Sequence, residues 1–472
     1  MTLIDRRRFL VATTATSAAV LAGPAFWRAA YAAPVQPGPS PYGPLAATPD
    51  ANGLLLPPGF TSRVIARSGQ AVAGTTYVWP PFPDGAATFT TPGGGWLCAI
   101  NSEVLAGGGG ASAVRFAADG TVVDAYAILT GTSGNCAGGQ TPWGTWLSCE
   151  EAQSPSNVGE GQVWECDPTT PSQGIARPAM GRFNHEAVAV DPTGQRLYLT
   201  EDRSDGRFYR FTPTSYPDLS TGTLEVAAVD SAGTVTWLLV PDPSASTATT
   251  RTQVPESSAF DGGEGCWYDT GHVYFTTKGD NRVWSHDLTA HTITVLYDAA
   301  DFGDAAPLTG VDNVVVSSAG DLYVAEDGGN MEINIITPDR VVAPVVRYTD
   351  NDESEITGPV FDPSGTRLYF SSQRGPGPGG PGITFEVSGP FRIAAQTAAP
   401  TSSAPTTTPA TAALAPNAPS RVTAAGALPA TGAPPTTRRV GALLALVGAA
   451  GWAIGRRVPR AADPGSPATD VR

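Results

Sequence analysis

Between residues 42 and 395 the chain runs in short stretches where apolar and polar side chains alternate, broken by glycine, proline and aspartate. A period of two predicts strands rather than helices, and helical periodicity of useful length is nearly absent from this region. Four stretches share one plan: AVDPTGQRLYLTED from Ala189, WYDTGHVYFTTKGD from Trp267, VVSSAGDLYVAEDG from Val315 and VFDPSGTRLYFSSQRG from Val360. In each, a turn carrying Gly, usually with Asp or Pro, leads into a strand that ends in Asp, Glu, Ser or Lys. Asp-Pro-x-Gly supplies the turn chemistry, and the Leu-Tyr pair followed by further apolar residues supplies a strand. Weaker copies lie at 82–103 and 115–126. Four-strand units recurring every ~40–50 residues predict an all-β fold, a β-propeller of roughly six to eight blades, with insertions where the spacing is uneven. A row of stacked β-sandwiches is the alternative, and the short linkers between copies favour the closed ring.

A propeller has a functional consequence. The innermost strands of all blades aim their ends at one channel, so acids from distant parts of the sequence converge there. The acids at strand ends or turns are Glu103, Glu150, Glu151, Glu186, Glu201, Asp202, Glu264, Asp312, Asp327 and Glu355. Most carboxylates in proteins are solvated. Glu103, Glu186, Glu264 and Glu355 have small or apolar neighbours, which predicts that they point inward. Hard oxygen donors in such number suit Ca²⁺ or Fe³⁺. His185 is read as a hydrogen-bonded core residue and is left out of the ligand set.

Composition narrows the choices. The formal charge of −15 repels nucleic acid and anionic lipid, and also a phosphorylated substrate unless bound cations reverse the local field. HExxH, G-x-S-x-G and P-loop motifs are missing, and with 4 histidines a His dyad is a poor candidate, so metal-assisted hydrolysis is the better expectation. The 5 cysteines, at 98, 136, 149, 166 and 266, leave at least one unpaired. Cys98, Cys149 and Cys166 sit in strand-like runs and are read as small buried hydrophobes, with a Cys149–Cys166 bridge left open. Cys136, in a Gly-rich segment read as an exposing turn, is read as a metal ligand.

The chain ends carry address signals. Residues 1–32 contain a twin arginine followed by Phe9, Leu10 and a mildly apolar stretch, then Ala30-Tyr31-Ala32, which predicts export through the twin-arginine translocase and cleavage near Ala33. Residues 396–437 are almost entirely Ala, Pro, Thr and Ser, the composition of a disordered stalk. Within them, LPATG at 428–432 precedes a short apolar helix at 440–455 and a basic, then polar tail at 456–472. That order resembles a sortase sorting signal and predicts attachment to peptidoglycan at the cell wall, or retention on the outer face of the cytoplasmic membrane. Sixteen helical residues rise about 24 Å, short of a roughly 30 Å hydrocarbon core, which suits a temporary stop.

Four segments together carry a family resemblance: NCAGGQTPWGTWLSCEE (135–151), GRFNHEAVAVDP with LYLTEDR, GVDNVVVSSAGDLYVAEDG, and ITGPVFDPSGTRLYFSSQRG. They resemble the PhoX-type alkaline phosphatases over nearly the whole body. The resemblance implies a six-bladed propeller with a central metal site of Fe³⁺ and Ca²⁺ bridged by oxide, hydrolysing phosphomonoesters. It matches Cys136 to the iron-binding thiolate and Glu186, Glu264 and Glu355 to cluster carboxylates. Glu103, Glu150 and Asp312 are matched from their NSE, CEE and VDN contexts. The chain departs from the family where larger members have Asp-Arg-Pro-Glu and this sequence has Asp261-Gly-Gly-Glu264. That removes a phosphate-clamping arginine, for which Lys278 and Arg203, or Arg282 and Arg374, would have to compensate. The expected protein is a wall-attached monomer acting on small phosphomonoesters. A calcium-dependent lactonase-like hydrolase, which has no need of Cys136, and a non-catalytic calcium-binding module remain the rival readings.

Overall fold

The structure, a computed structural model, describes residues 35–151, 161–376 and 380–394. Its regular structure is almost entirely β, in six sheets, each built on consecutive antiparallel strands. Their first strands are Pro83–Thr90, Asn135–Gln140, His185–Asp191, Gly263–Asp269, Val311–Val316 and Ile356–Phe361, and these define blades 1 to 6. Each first strand packs on the next, and the sixth packs on the first. The fold is therefore a closed six-bladed β-propeller, the lowest of the blade numbers that the repeat period allowed.

Local chemistry sets the hairpins. In blade 3 the Asp191 carboxylate accepts the backbone N–H groups of Thr193 and Gly194, both at 2.9 Å, and in blade 6 Asp362 does the same for Thr366 and Arg367. An aspartate that satisfies its own turn fixes where the first strand stops and the second begins. In blade 5 the Ser317 hydroxyl takes the aspartate's place.

Closure and packing are tertiary. Thr61–Arg67, which precedes blade 1 in sequence, pairs antiparallel with Ile383–Ser388 and becomes the outer strand of blade 6, so the last blade is built from both ends of the body. Residues ahead of 42 also join the ring, since Gln36–Pro37 runs parallel to Val341–Val342 on the outer edge of blade 5. Buried apolar side chains sort into six clusters, one in each gap between neighbouring blades. Across the gap between blades 3 and 4, for instance, Phe208 and Phe275 stack with ring centroids 4.4 Å apart. Each blade has a neighbour on both faces, which is why strands such as Trp96–Ser102 are buried along their whole length.

The cysteines follow this packing. All five are free; Cys98, Cys149, Cys166 and Cys266 lie in the inter-blade clusters, and the Cys149–Cys166 bridge left open from sequence is not formed. No helix among the described residues is long and apolar enough to cross a membrane. The expectations for residues 1–32, 396–437, 440–455 and 456–472 lie outside the described residues.

Candidate metal centre

Each first strand is broken by a β-bulge close to its start. A bulge places two residues opposite one and re-aims a side chain that a regular strand would send into a blade gap. The bulged pairs are Asp84-Gly85, Cys136-Ala137, Glu186-Ala187, Glu264-Gly265, Asp312-Asn313 and Gly358-Pro359. Five of the six begin with a carboxylate or thiol, and all five of those residues are buried. The next residue is small in four of them because the strands crowd there: a Cβ on Gly85 would lie 2.4 Å from the Ala137 Cα, and one on Gly265 would lie 2.5 Å from the Val314 amide nitrogen. Cys136 thus belongs to an inner strand and is buried, a correction to the exposed turn expected from its glycine neighbours.

A second tier comes from the residue that follows each second strand: Glu103, Glu151, Asp202, Lys278, Asp327 and Gln373. Blade 6, whose bulge carries only Gly358, contributes Glu355 from ahead of its first strand. These residues form three sets whose ligand atoms lie within 4.8 Å of one another: Asp84, Glu103 and Cys136; Glu186, Glu264 and Asp312, all from bulges; and Asp312, Asp327 and Glu355. Gln373 Nε2 donates to Asp84 at 2.7 Å and to Glu103 at 2.9 Å. The Cys136 thiol faces Glu151 at 3.6 Å, and Asn184 donates to the other oxygen of Glu151 at 3.0 Å. Lys278 Nζ lies 2.8 Å from Glu264 and 3.0 Å from Asp327, and Arg374 lies 3.0 Å from Glu355.

Of the sequence-selected residues, Cys136, Glu103, Glu186, Glu264, Asp312, Glu355 and Lys278 therefore come together. Glu150 does not join them. Its carboxylate accepts the backbone N–H groups of Ser133 at 3.0 Å and Gln162 at 3.3 Å, and its neighbour Glu151 faces the channel instead. Glu201-Asp202 and Glu326-Asp327 repeat the division: the first acid binds backbone N–H groups, at Arg207 for Glu201 and at Thr309 and Glu332 for Glu326. Arg203 uses its carbonyl to hold the turn, accepting from Gly206 and Gly262. Arg282 is paired with Asp280 and Asp298. Asp84 was not read from the sequence, because Pro83-Asp84-Gly85 looks like a turn; its signal was its place ahead of a Gly in the blade 1 copy.

The electrostatics of this ring call for cations. Burial, then Glu355 and Glu103, push the Asp84 carboxyl well above the usual range, and burial, then Glu264 and Asp312, do the same to Glu186. Glu355 is raised to about 8 by burial and by Asp327 and Glu103, and Glu151 to about 7 by burial and by Asp202 and Glu103. Burial, then Glu103, Glu186 and Glu151, raise the Cys136 thiol. Burial works against a charged Lys278, but Glu264, Asp312 and Asp327 outweigh it and hold the ammonium. Buried carboxylates from several blades, with a thiol among them, are an unfavourable arrangement on their own and a fitting donor set for multivalent ions. His185, by contrast, stacks on Phe183 and bonds the Gly181 carbonyl, its pKa lowered to about 3 by burial, in keeping with a core role.

Away from the acids, a cavity of about 290 Å³ opens between the far ends of the inner strands of blades 2, 3 and 4, where Gln140, Pro142, Pro192, Trp267 and Tyr268 line it. It has no carboxylate in its wall; the three ligand sets lie at the bulged end.

Comparison with known proteins bears on this site. The alkaline phosphatase PhoX family model matches residues 97–291, a span that holds Glu103, Cys136, Glu151, Glu186, Glu264 and Lys278. The chain is similar in structure to Pseudomonas fluorescens PhoX in complex with vanadate, a transition-state analogue, at 16% identity and a TM-score of 0.57, covering 75% of this chain and 98% of that one. It is more loosely similar to a gluconolactonase from Xanthomonas campestris, at 15% identity, TM-score 0.37, and 76% and 99% coverage. Regucalcin from Agrobacterium tumefaciens stands at 15%, 0.36, and 70% and 97%. No curated protein matches significantly in sequence. The family match and the six-bladed ring bear out the resemblance drawn from the sequence motifs.

Proposed function

We propose that this chain, allied by family match and by fold to the PhoX-type alkaline phosphatases, is a metal-dependent phosphomonoesterase whose centre is the bulged end of the propeller channel. The observation that carries the reading is the repeat of one device: a bulge in each of blades 1 to 5 sets Asp84, Cys136, Glu186, Glu264 or Asp312 around a common axis. Asp84, Glu103 and Cys136 would hold Fe³⁺, because a thiolate among hard oxygens suits iron, and the all-oxygen sets around Asp312 would hold Ca²⁺. When bound, such ions neutralise phosphoryl charge and activate an oxygen nucleophile. The chain's own residues position both. Asn184 fixes Glu151, Gln373 fixes Asp84 and Glu103, and Arg374, half-buried beside Glu355, is the guanidinium placed to turn toward phosphoryl oxygens where the Asp-Gly-Gly-Glu segment supplies none.

Purified metal-loaded protein is expected to hydrolyse p-nitrophenyl phosphate, with activity lost on chelation and in Glu186→Ala; a loaded protein without activity would sink the reading. Cys136→Ser separates it from a calcium-only hydrolase, since loss of bound iron together with phosphatase activity is expected here and neither is expected there. Export by the twin-arginine route and sortase attachment to peptidoglycan complete the proposal, supported by the sequence signals at 1–32 and 428–457. They would put the enzyme where extracellular phosphate esters are.

A further inference from the structure

Lys278 is the single lysine in the 472-residue chain; the other cationic side chains among its 28 Lys and Arg are arginines. It stands at a place in the repeat where the other five blades carry Glu103, Glu151, Asp202, Asp327 and Gln373, all oxygen donors. Its backbone is pinned there, since the Lys278 N–H donates to the Gly262 carbonyl at 2.8 Å. The ammonium lies 2.8 Å from Glu264, 3.0 Å from Asp327 and 4.0 Å from Asp312. Glu264 belongs to one three-acid set, Asp327 to the other, and Asp312 to both, so Nζ sits where the two sets meet.

Shape explains why this cation is not an arginine. A guanidinium is a planar fork that engages carboxylates edge-on, whereas an ammonium is a compact charge with three donors pointing in different directions. Carboxylates meet the first at the edges of its plane, as Asp280 and Asp298 meet Arg282, but can surround the second in three dimensions, which is how oxygen ligands gather around an ion. We propose that Lys278 is a built-in cation of the centre, holding the place between the two acid sets that a divalent ion takes when an oxygen donor stands at that position. The inference rests on the metal-centre reading and narrows it: this chain binds one divalent ion fewer than the same ring with an acid at 278.

Native mass spectrometry with elemental analysis, on protein saturated with CaCl₂, reads the ion count directly and does not depend on turnover. Lys278→Asp is expected to carry one more calcium per chain than wild type. An equal or lower count in the folded variant overturns the inference while leaving the metal centre standing, and a wild type that takes up no multivalent ion sinks the underlying reading instead. A second measurement needs no variant. Acylation at Lys278, the one side-chain amine, is followed by peptide mass spectrometry against the urea-unfolded chain. It is expected to be at least tenfold slower in the folded protein both before and after metal loading. If loading raises the rate to that of the unfolded chain, the ions have displaced the ammonium and the inference fails.

Discussion

Adjacent glutamates with opposite tasks give the sharpest test of this architecture. Glu150→Ala removes the acceptor for the N–H groups of the buried Ser133 and the half-buried Gln162, and strands the Ser133 donor inside the blade. At about 1–3 kcal/mol for one stranded buried group, and at about 2 °C per kcal/mol, the melting temperature falls by roughly 2–6 °C. Glu151→Ala works the other way in metal-free protein. Glu151 has a folded-state pKa of about 7 against an ordinary 4.5, because burial and the neighbouring Asp202 and Glu103 disfavour its charge. An acid whose pKa rises on folding binds its proton more tightly when folded. It therefore destabilises the fold as pH climbs from 4.5 to 7, by roughly 3 kcal/mol above that window. Removing it should raise metal-free stability at pH 8 by up to that amount, less the Asn184 and Cys136 contacts, and change little at pH 4. Melting curves of both variants, with and without chelator, read the effects, and metal content reads the complement: Glu151→Ala loses bound metal and Glu150→Ala, once folded, does not. If the two variants behave alike, the assignment of one acid to the blade and the next to the channel is wrong.

Two further outcomes follow from the packing. His286 sits among Tyr198, Phe208 and Trp237 with its pKa lowered to about 4 by burial, so it stays neutral in the fold while the unfolded chain protonates near 6.5. Its share of stability is present above pH 6.5 and is lost as pH falls toward 4, by roughly 3 kcal/mol in all. Denaturation of wild type and His286→Leu at pH 7 and pH 4.5 should show a shallower acid loss in the variant, and parallel losses would count against this. Gly139→Ala would set a Cβ 1.9 Å from the Val188 carbonyl oxygen, backbone against backbone between blades 2 and 3, and should cost several kcal/mol or prevent soluble expression. A variant that melts with wild type would mean that the inner strands pack less closely than this.

The hairpins were legible because their information is local. Asp191, Asp362 and the glycines that follow them specify turn and strand within a few residues, whatever the rest of the chain does. So were Cys136, Glu186 and Glu264, which stand beside small residues at the start of strands, whereas Asp312, between Val311 and Asn313, was matched only through its VDN context. The choice between Glu150 and Glu151 was not legible, since neighbouring strand positions face opposite sides and a bulge across the ladder resets which side is which. Asp84 was hidden by a turn-like context, and the use of Thr61–Arg67 to complete blade 6 depends on a partner more than 300 residues away.

The sequence by itself determined that this is a ring of repeated β units with acids at the strand ends, because turn chemistry and two-residue periodicity act over short distances. Only the tertiary structure decided which of those acids share an axis, that Cys136 is buried among them, and that the single lysine joins two sets of carboxylates. Those facts come from closing the circle. Residues far apart in the chain become neighbours only when every blade has a partner on both faces, and the free energy of a charge at the centre depends on all the others brought there with it.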